Sequence, residues 1–154
     1  MNLSDAQYAA LKRRMAGGER IRPQDTPHRS EQEEQEAVID WARIMEGQYH
    51  ELALLFHVPN GGDRPIQAGV AMKRAGTKAG VPDLVMCCKR RTPDGRHYGA
   101  LFIELKRANH SNGPSPAQEW WIDQLRAQGY MAIVAYGADE AIEAIEHYLM
   151  LEPG

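Results

Sequence analysis

Gly80-Val81-Pro82-Asp83-Leu84 and, about twenty residues later, Phe102-Ile103-Glu104-Leu105-Lys106 are the stretches on which the fold turns. Side chains alternate along a strand, so Glu104 and Lys106 share one face while Ile103 and Leu105 share the other. The apolar neighbours predict a central strand, where charged side chains are rare. A Glu-x-Lys in a strand is usually a solvent-facing ion pair worth well under ~1 kcal/mol. On a central strand the same pair is instead held rigidly side by side. If the Asp83 strand pairs with it, a second carboxylate reaches the same place.

The neighbouring segments supply the rest of such a sheet. Pro82 opens a strand over Asp83 to Cys88, and Pro93-Asp94-Gly95 makes a turn, so Ala100 to Lys106 returns as the second arm of a hairpin. Upstream, Leu52 to Val58 is continuously apolar and reads as a buried strand, ended by Pro59-Asn60-Gly61-Gly62. Between them, Ile66 to Ala75 reads as a short helix closed by Gly76. Ser30 is an N-cap followed by Glu31, Glu33 and Glu34. Val38, Trp41, Ala42 and Met45 follow at helical spacing, which predicts a helix of about 15 residues. Downstream, Asn109 to Ser115 is a polar loop. Ser115-Pro116 with Glu119 starts a helix whose apolar face is Trp120, Trp121 and Leu125, and Gly129 ends it. Met131 to Tyr136 is a fourth strand, and Asp139 begins a last helix with Ile142, Ile145 and Leu149 inward. The order predicts one α/β domain over residues 30–154, a mixed four-stranded sheet flanked by helices. Residues 1–29 read as an appendage, a weak helix at Tyr8 to Met15 followed by a mobile linker carrying Gly17-Gly18, Pro23 and Pro27.

A chain of 154 residues is long enough to bury one real core. It has no apolar run of 18 residues that would span a membrane, and Met1 to Ala10 lacks a signal-peptide core, so a cytoplasmic protein is expected. Cys87 and Cys88 are adjacent and would point to opposite faces of a strand, which makes them poor disulfide partners. No Cys-x-x-Cys pair points to structural zinc. Net charge is −3 but uneven: Gly61 to Arg107 carries ten Lys/Arg against four Asp/Glu, and the remainder is acidic. That distribution suits a local phosphate-binding face, or simply a solvated basic surface.

Two carboxylates, a backbone carbonyl and waters make an oxygen site suited to Mg²⁺ or Mn²⁺ rather than zinc. Such an ion polarises a phosphoryl oxygen and lowers the pKa of a bound water. Lys106 would then hold that water or stabilise charge developing on phosphorus. Lys73, Arg74 and Lys78 lie just before Asp83 and are placed to hold a DNA backbone, or else form the wet side of a helix. Asn60-Gly61-Gly62 lets backbone amides approach a phosphate, or is a plain turn. Lys89, Arg90 and Arg91 at the hairpin tip suit a groove or a second DNA arm, or a solvated loop. His57 reads as structural or substrate-lining rather than as a base. His110 follows the Glu104 strand within reach of a substrate. Trp120, Trp121 and Tyr130 read as core.

Six short pieces, in order from Glu31 to near Leu149, resemble the VRR-NUC domains of the PD-(D/E)XK nuclease superfamily. They are Glu31-Gln32-Glu33-Glu34-Gln35 with Trp41, His57-Val58-Pro59-Asn60-Gly61-Gly62, Lys73 with Gly76, Gly80-Val81-Pro82-Asp83-Leu84, Phe102-Ile103-Glu104-Leu105-Lys106, and Ser115-Pro116-Ala117-Gln118 with Trp121. The resemblance implies a restriction-endonuclease-like core and metal-dependent cleavage of DNA, with one or two Mg²⁺ and a 5′-phosphate product. It makes Asp83, Glu104 and the carbonyl of Leu105 the metal ligands and Lys106 the catalytic lysine. Gln118 would orient Lys106, water or the strand backbone. A first-helix glutamate would complete the acidic site, Glu31 by its spacing to Gln35 and Trp41, with Glu34 the alternative. Compact members of the family, of the phage and bacterial type, resemble junction-resolving enzymes. That implies branched DNA as substrate, Holliday junctions among it, and a homodimer for symmetric cuts. Flaps, nicks or duplex ends are the alternative substrates, and a non-catalytic DNA-binding module is the alternative class.

Overall fold

The computed structural model describes residues 29–59 and 66–154. Residues 1–28 of the expected appendage, and the Asn60-Gly61-Gly62 turn, lie outside the described residues.

Helix α1 (Glu31–Met45) begins where the sequence places it. The Ser30 hydroxyl accepts the Glu33 N–H at 3.2 Å, and the Glu33 carboxylate accepts the Ser30 N–H at 2.7 Å. This reciprocal cap is worth about 1 kcal/mol. A 3₁₀ turn (His50–Leu54) leads into β1 (Leu55–His57), and α2 (Ile66–Arg74) follows. Then come β2 (Leu84–Met86), the short β3 (Arg90–Arg91) and β4 (His97–Tyr98), and β5 (Leu101–Lys106). The chain closes with α3 (Pro116–Ala127), β6 (Met131–Tyr136), α4 (Gly137–Leu149) and β7 (Glu152–Pro153).

The main sheet has four strands in the order β1-β2-β5-β6. The first three are antiparallel and β6 runs parallel to β5, so the sheet is mixed as expected. Leu84 pairs with Ile103 and Met86 with Leu101, which fixes the register of the central pair. On one face, Leu84, Met86, Leu101, Ile103 and Leu105 pack against Val38 and Ala42 of α1 and Ala141, Ile145 and Tyr148 of α4. On the other, Phe102, Ala132 and Val134 pack beneath Ile122 and Leu125 of α3. Helices thus cover β5 from both sides.

Two expectations are corrected. Leu52 to Val58 is not a buried strand. Its first half is the 3₁₀ turn and its second an edge strand of three residues, with Phe56 48% exposed. An apolar run alone does not distinguish a central strand from the edge of a sheet. Nor is the Lys89-Arg90-Arg91 run wholly a solvated loop, although Lys89 and Arg91 are exposed. Arg90 is buried and paired with Glu51 at 2.6 Å, and Arg91 pairs with Glu152. The cause is a second sheet, ordered β4-β3-β7, in which the C-terminal tail pairs with β3.

Candidate active site

Antiparallel pairing of Leu84 with Ile103 places Asp83 opposite Glu104 when continued by one residue. Opposed residues share a face, so both carboxylates lie on the α3 side of the sheet. Asp83 sits just before β2 begins, and its backbone and side chain are fixed separately. Its carbonyl accepts the Val58 N–H at 2.8 Å and meets His57 Nδ1 at 2.9 Å, so His57 carries its proton on Nδ1. Its Oδ2 accepts the Leu105 N–H at 2.8 Å. The loop before it is pinned to α3: Trp121 donates to the Ala79 carbonyl at 3.0 Å, and Gly80 lies against Ala117. At Gly80 φ is +86°, and a Cβ there would fall 2.6 Å from the Ala117 carbonyl carbon, so only glycine fits.

Glu104 is 1% exposed and Lys106 6%. Lys106 Nζ lies 3.0 Å from Glu104 Oε1, and the Gln118 side-chain amide donates to that same oxygen. Gln118 is itself locked by the α3 cap, its Oε1 accepting the Ser115 N–H at 2.7 Å. Ser115-x-x-Gln118 is therefore a capping box, a pattern legible in the sequence. The second oxygen, Glu104 Oε2, is buried and has no hydrogen-bond partner among the described residues. Burial, then the charge of Asp83, pushes the Glu104 carboxyl up to about 7 despite Lys106. Burial also raises Asp83, opposed by the Leu105 N–H and by Lys106. Glu31 adds to the repulsion at both carboxyls, so its charge reaches the pair from α1.

Glu34 faces elsewhere. It is buried, and its Oε2 accepts the Ala138 N–H at 2.9 Å at the start of α4. Lys73, Arg74 and Lys78 are exposed on α2 and the loop leading to Asp83. Asn60 and Gly61 lie outside the described residues. Trp121 and Tyr130 pack with Ile122 and Leu125 as expected for core residues, whereas Trp120 is 56% exposed. Tyr136 was not singled out from the sequence. Its place beside Lys106 depends on the parallel register of β5 and β6, which no local pattern reveals.

Among the described residues, no three His, Cys, Asp or Glu side chains converge closely enough to cage a metal ion unaided. Two carboxylates do, and a hard cation completes its shell with carbonyl and water oxygens. Glu104, opposite Asp83 in register and with its Oε2 buried and unpartnered among the described residues, fits such an ion. Without one, both charges remain desolvated and mutually repelling.

The VRR-NUC domain family profile matches residues 18–139. A solved structure described as a VRR_NUC domain protein superposes with a TM-score of 0.67 at 29% identity, covering 83% of this chain and 94% of that one. Its likeness fits a restriction-endonuclease-like core. No curated protein matched the chain.

Proposed function

The chain belongs to the VRR-NUC domain family, which gives it a nuclease-type function, and on that premise we propose that it is a Mg²⁺-dependent, structure-selective DNA endonuclease. The observation that carries the reading is the buried Glu104, opposite Asp83 in register, with one oxygen held by Lys106 and Gln118 and the other unpartnered among the described residues. Two donors on Oε1 leave Oε2 as the ligand atom. Asp83 supplies the second carboxylate, fixed by the Leu105 N–H. In an extended strand the carbonyl of a residue points the same way as its N–H, so the Leu105 carbonyl is the third protein oxygen. When bound, Mg²⁺ or Mn²⁺ would polarise a phosphoryl oxygen and make a water acidic enough to attack the phosphorus at neutral pH.

The chain's own residues do the rest. Lys106, held by Glu104, presents a fixed cation to the phosphate and stabilises the negative charge that builds there. Gln118 keeps the Glu104 carboxylate in one rotamer. Glu31 orients water at the rim of the acidic pair. Lys73, Arg74 and Lys78, with Asn60 and Gly61, hold the DNA backbone through phosphate contacts that are independent of sequence. Branched DNA, with Holliday junctions foremost, is the proposed substrate, and two copies of the chain give the paired cuts that a symmetric junction needs.

The test is a panel of labelled four-way junction, flap, nicked and linear DNA incubated with Mg²⁺ and either wild type or Lys106→Ala. The proposal expects wild type to cut the junction in preference to linear duplex and the variant to cut neither. Equal cutting of junction and duplex ends the structure-selective reading. A folded wild type that cuts nothing in Mg²⁺ or Mn²⁺ ends the endonuclease reading and leaves a binding module.

A further inference from the structure

The parallel register of β5 and β6 sets Tyr136 beside Lys106. Its face follows from its neighbours. Met131, Ile133 and Ala135 pack toward α1 and α4, and Ala132 and Val134 toward α3. By alternation, Tyr136 projects on the α3 side, the face of Glu104 and Lys106. The loop from β5 to α3 leaves directly after Lys106 and ends at Ser115, the cap that fixes Gln118. Both ends of this loop are therefore tied to the site.

Within the loop, His110 has φ +54°, in the left-handed region that non-glycine residues seldom adopt. Its ring lies flat on Tyr136, with centroids 4.0 Å apart and planes 14° from parallel. The His110 N–H closes a turn on the Arg107 carbonyl at 3.1 Å, and the Asn109 side chain accepts the Ser111 N–H at 3.1 Å. A strained residue persists where its surroundings over-determine it. His110 is exposed and Tyr136 half-buried, so the imidazole forms the outer layer of the stack. A ring stacked flat against protein on one side offers an aromatic face on the other.

We propose that His110, backed by Tyr136, is a stacking subsite for a nucleobase adjacent to the scissile phosphate. The inference rests on the nuclease reading of the site and sharpens its substrate. A base inside continuous duplex has both faces occupied, so the base that docks here is unstacked, as at a branch point or a single-stranded end. Stacking tolerates any base because each has a π-face, so the subsite selects DNA shape rather than sequence.

The experiment uses the full chain with Ca²⁺ replacing Mg²⁺, so that DNA is bound uncut. The probe is whichever DNA of the cleavage panel wild type cuts fastest. Affinity is read by fluorescence anisotropy for the intact DNA and for versions with single abasic residues stepped past the cut position. One abasic position should weaken wild type roughly tenfold, the scale of one base stacked on one aromatic ring. His110→Ala should lose a similar factor on intact DNA and become indifferent to that position, while His110→Phe and Tyr136→Phe keep both properties. The inference is overturned if wild type shows no sensitive position, or if a folded His110→Ala keeps wild-type affinity or the abasic penalty. In those cases Mg²⁺ cleavage by wild type persists and the nuclease reading stands. A wild type that cuts no DNA of the panel removes both.

Discussion

Both ends of the β2–β5 ladder bury charge, but they do so in opposite ways. Just past the Met86–Leu101 end, Arg90 is 4% exposed and faces Glu51 at 2.6 Å, with its guanidinium also donating to the Lys89 carbonyl at 3.0 Å. Arg90 Nε is left unpartnered among the described residues, yet cation and anion balance. The Glu51 carboxyl is held below its ordinary value by its own backbone N–H and then by Arg90. At the Leu84–Ile103 end, Glu104 and Asp83 are like charges that Lys106 offsets only in part, with Glu31 adding to the repulsion. Both carboxyls are pushed up rather than down. A balanced pair serves the fold. An unbalanced one costs stability that the rest of the core must offset, and such sites are where binding or catalysis is expected.

The largest expected effect separates the two ends by function. Glu104→Ala and Lys106→Ala should each reduce Mg²⁺-dependent DNA cleavage by at least about a hundredfold, the scale of losing one group that meets developing charge. Arg90→Ala should leave the cleavage rate of the folded enzyme unchanged in the same assay.

Next in size is a difference in pH dependence. A carboxyl raised from 4.5 to about 7 holds its proton longer in the folded state than in the unfolded chain. Its stabilising contribution is therefore full below pH 4.5 and is lost as pH rises through 7. Without metal, Glu104 should cost up to roughly 3 kcal/mol across that window. Denaturant melts at pH 5 and pH 8 would show this as a fall in stability that Glu104→Gln flattens. Equal slopes in the two proteins would mean that the carboxyl is not strained.

Arg90→Ala comes third. It strips the guanidinium from a site where Glu51 is still partly hydrated, so a loss of about 2 kcal/mol is expected, below the full penalty of a deeply buried pair. Thermal melting reads it, and an unchanged melting temperature would put Arg90 in the class of surface charges. The smallest effect belongs to Gln118→Ala. It removes one of two donors to Glu104 Oε1 and half of a capping box, for about 1 kcal/mol of stability and several-fold in cleavage.

The Asp83–Glu104 end was the more legible in the sequence, for a physical reason. Strand alternation puts Glu104 and Lys106 on one face from their spacing alone, and the apolar flanks at Ile103 and Leu105 give the burial. Pro82 and Gly80 mark the rigid entry to Asp83. The Arg90 end was opaque because its burial depends on the chain's last residues returning to pair with β3, a contact about sixty residues distant in sequence. A Lys-Arg-Arg run carries no local sign of that. The division of labour on α1 was hidden for the same reason. Glu31 and Glu34 are alike as helix-starting acids, and only the packing of α4 draws Glu34 to the Ala138 N–H. Gln118 contacts Glu104, a partner that its sequence position did not suggest.

The central claim is that Asp83 and Glu104 are held ready for a divalent cation. Calorimetric titration of Mn²⁺ into the full chain at pH 7.5 without DNA tests it directly, beside Glu104→Gln. The expected result is saturable binding by wild type, weaker at pH 6 because Glu104 must shed its proton, and no measurable binding by the variant. Wild-type affinity in Glu104→Gln, or no saturable binding by a folded wild type, would contradict the account.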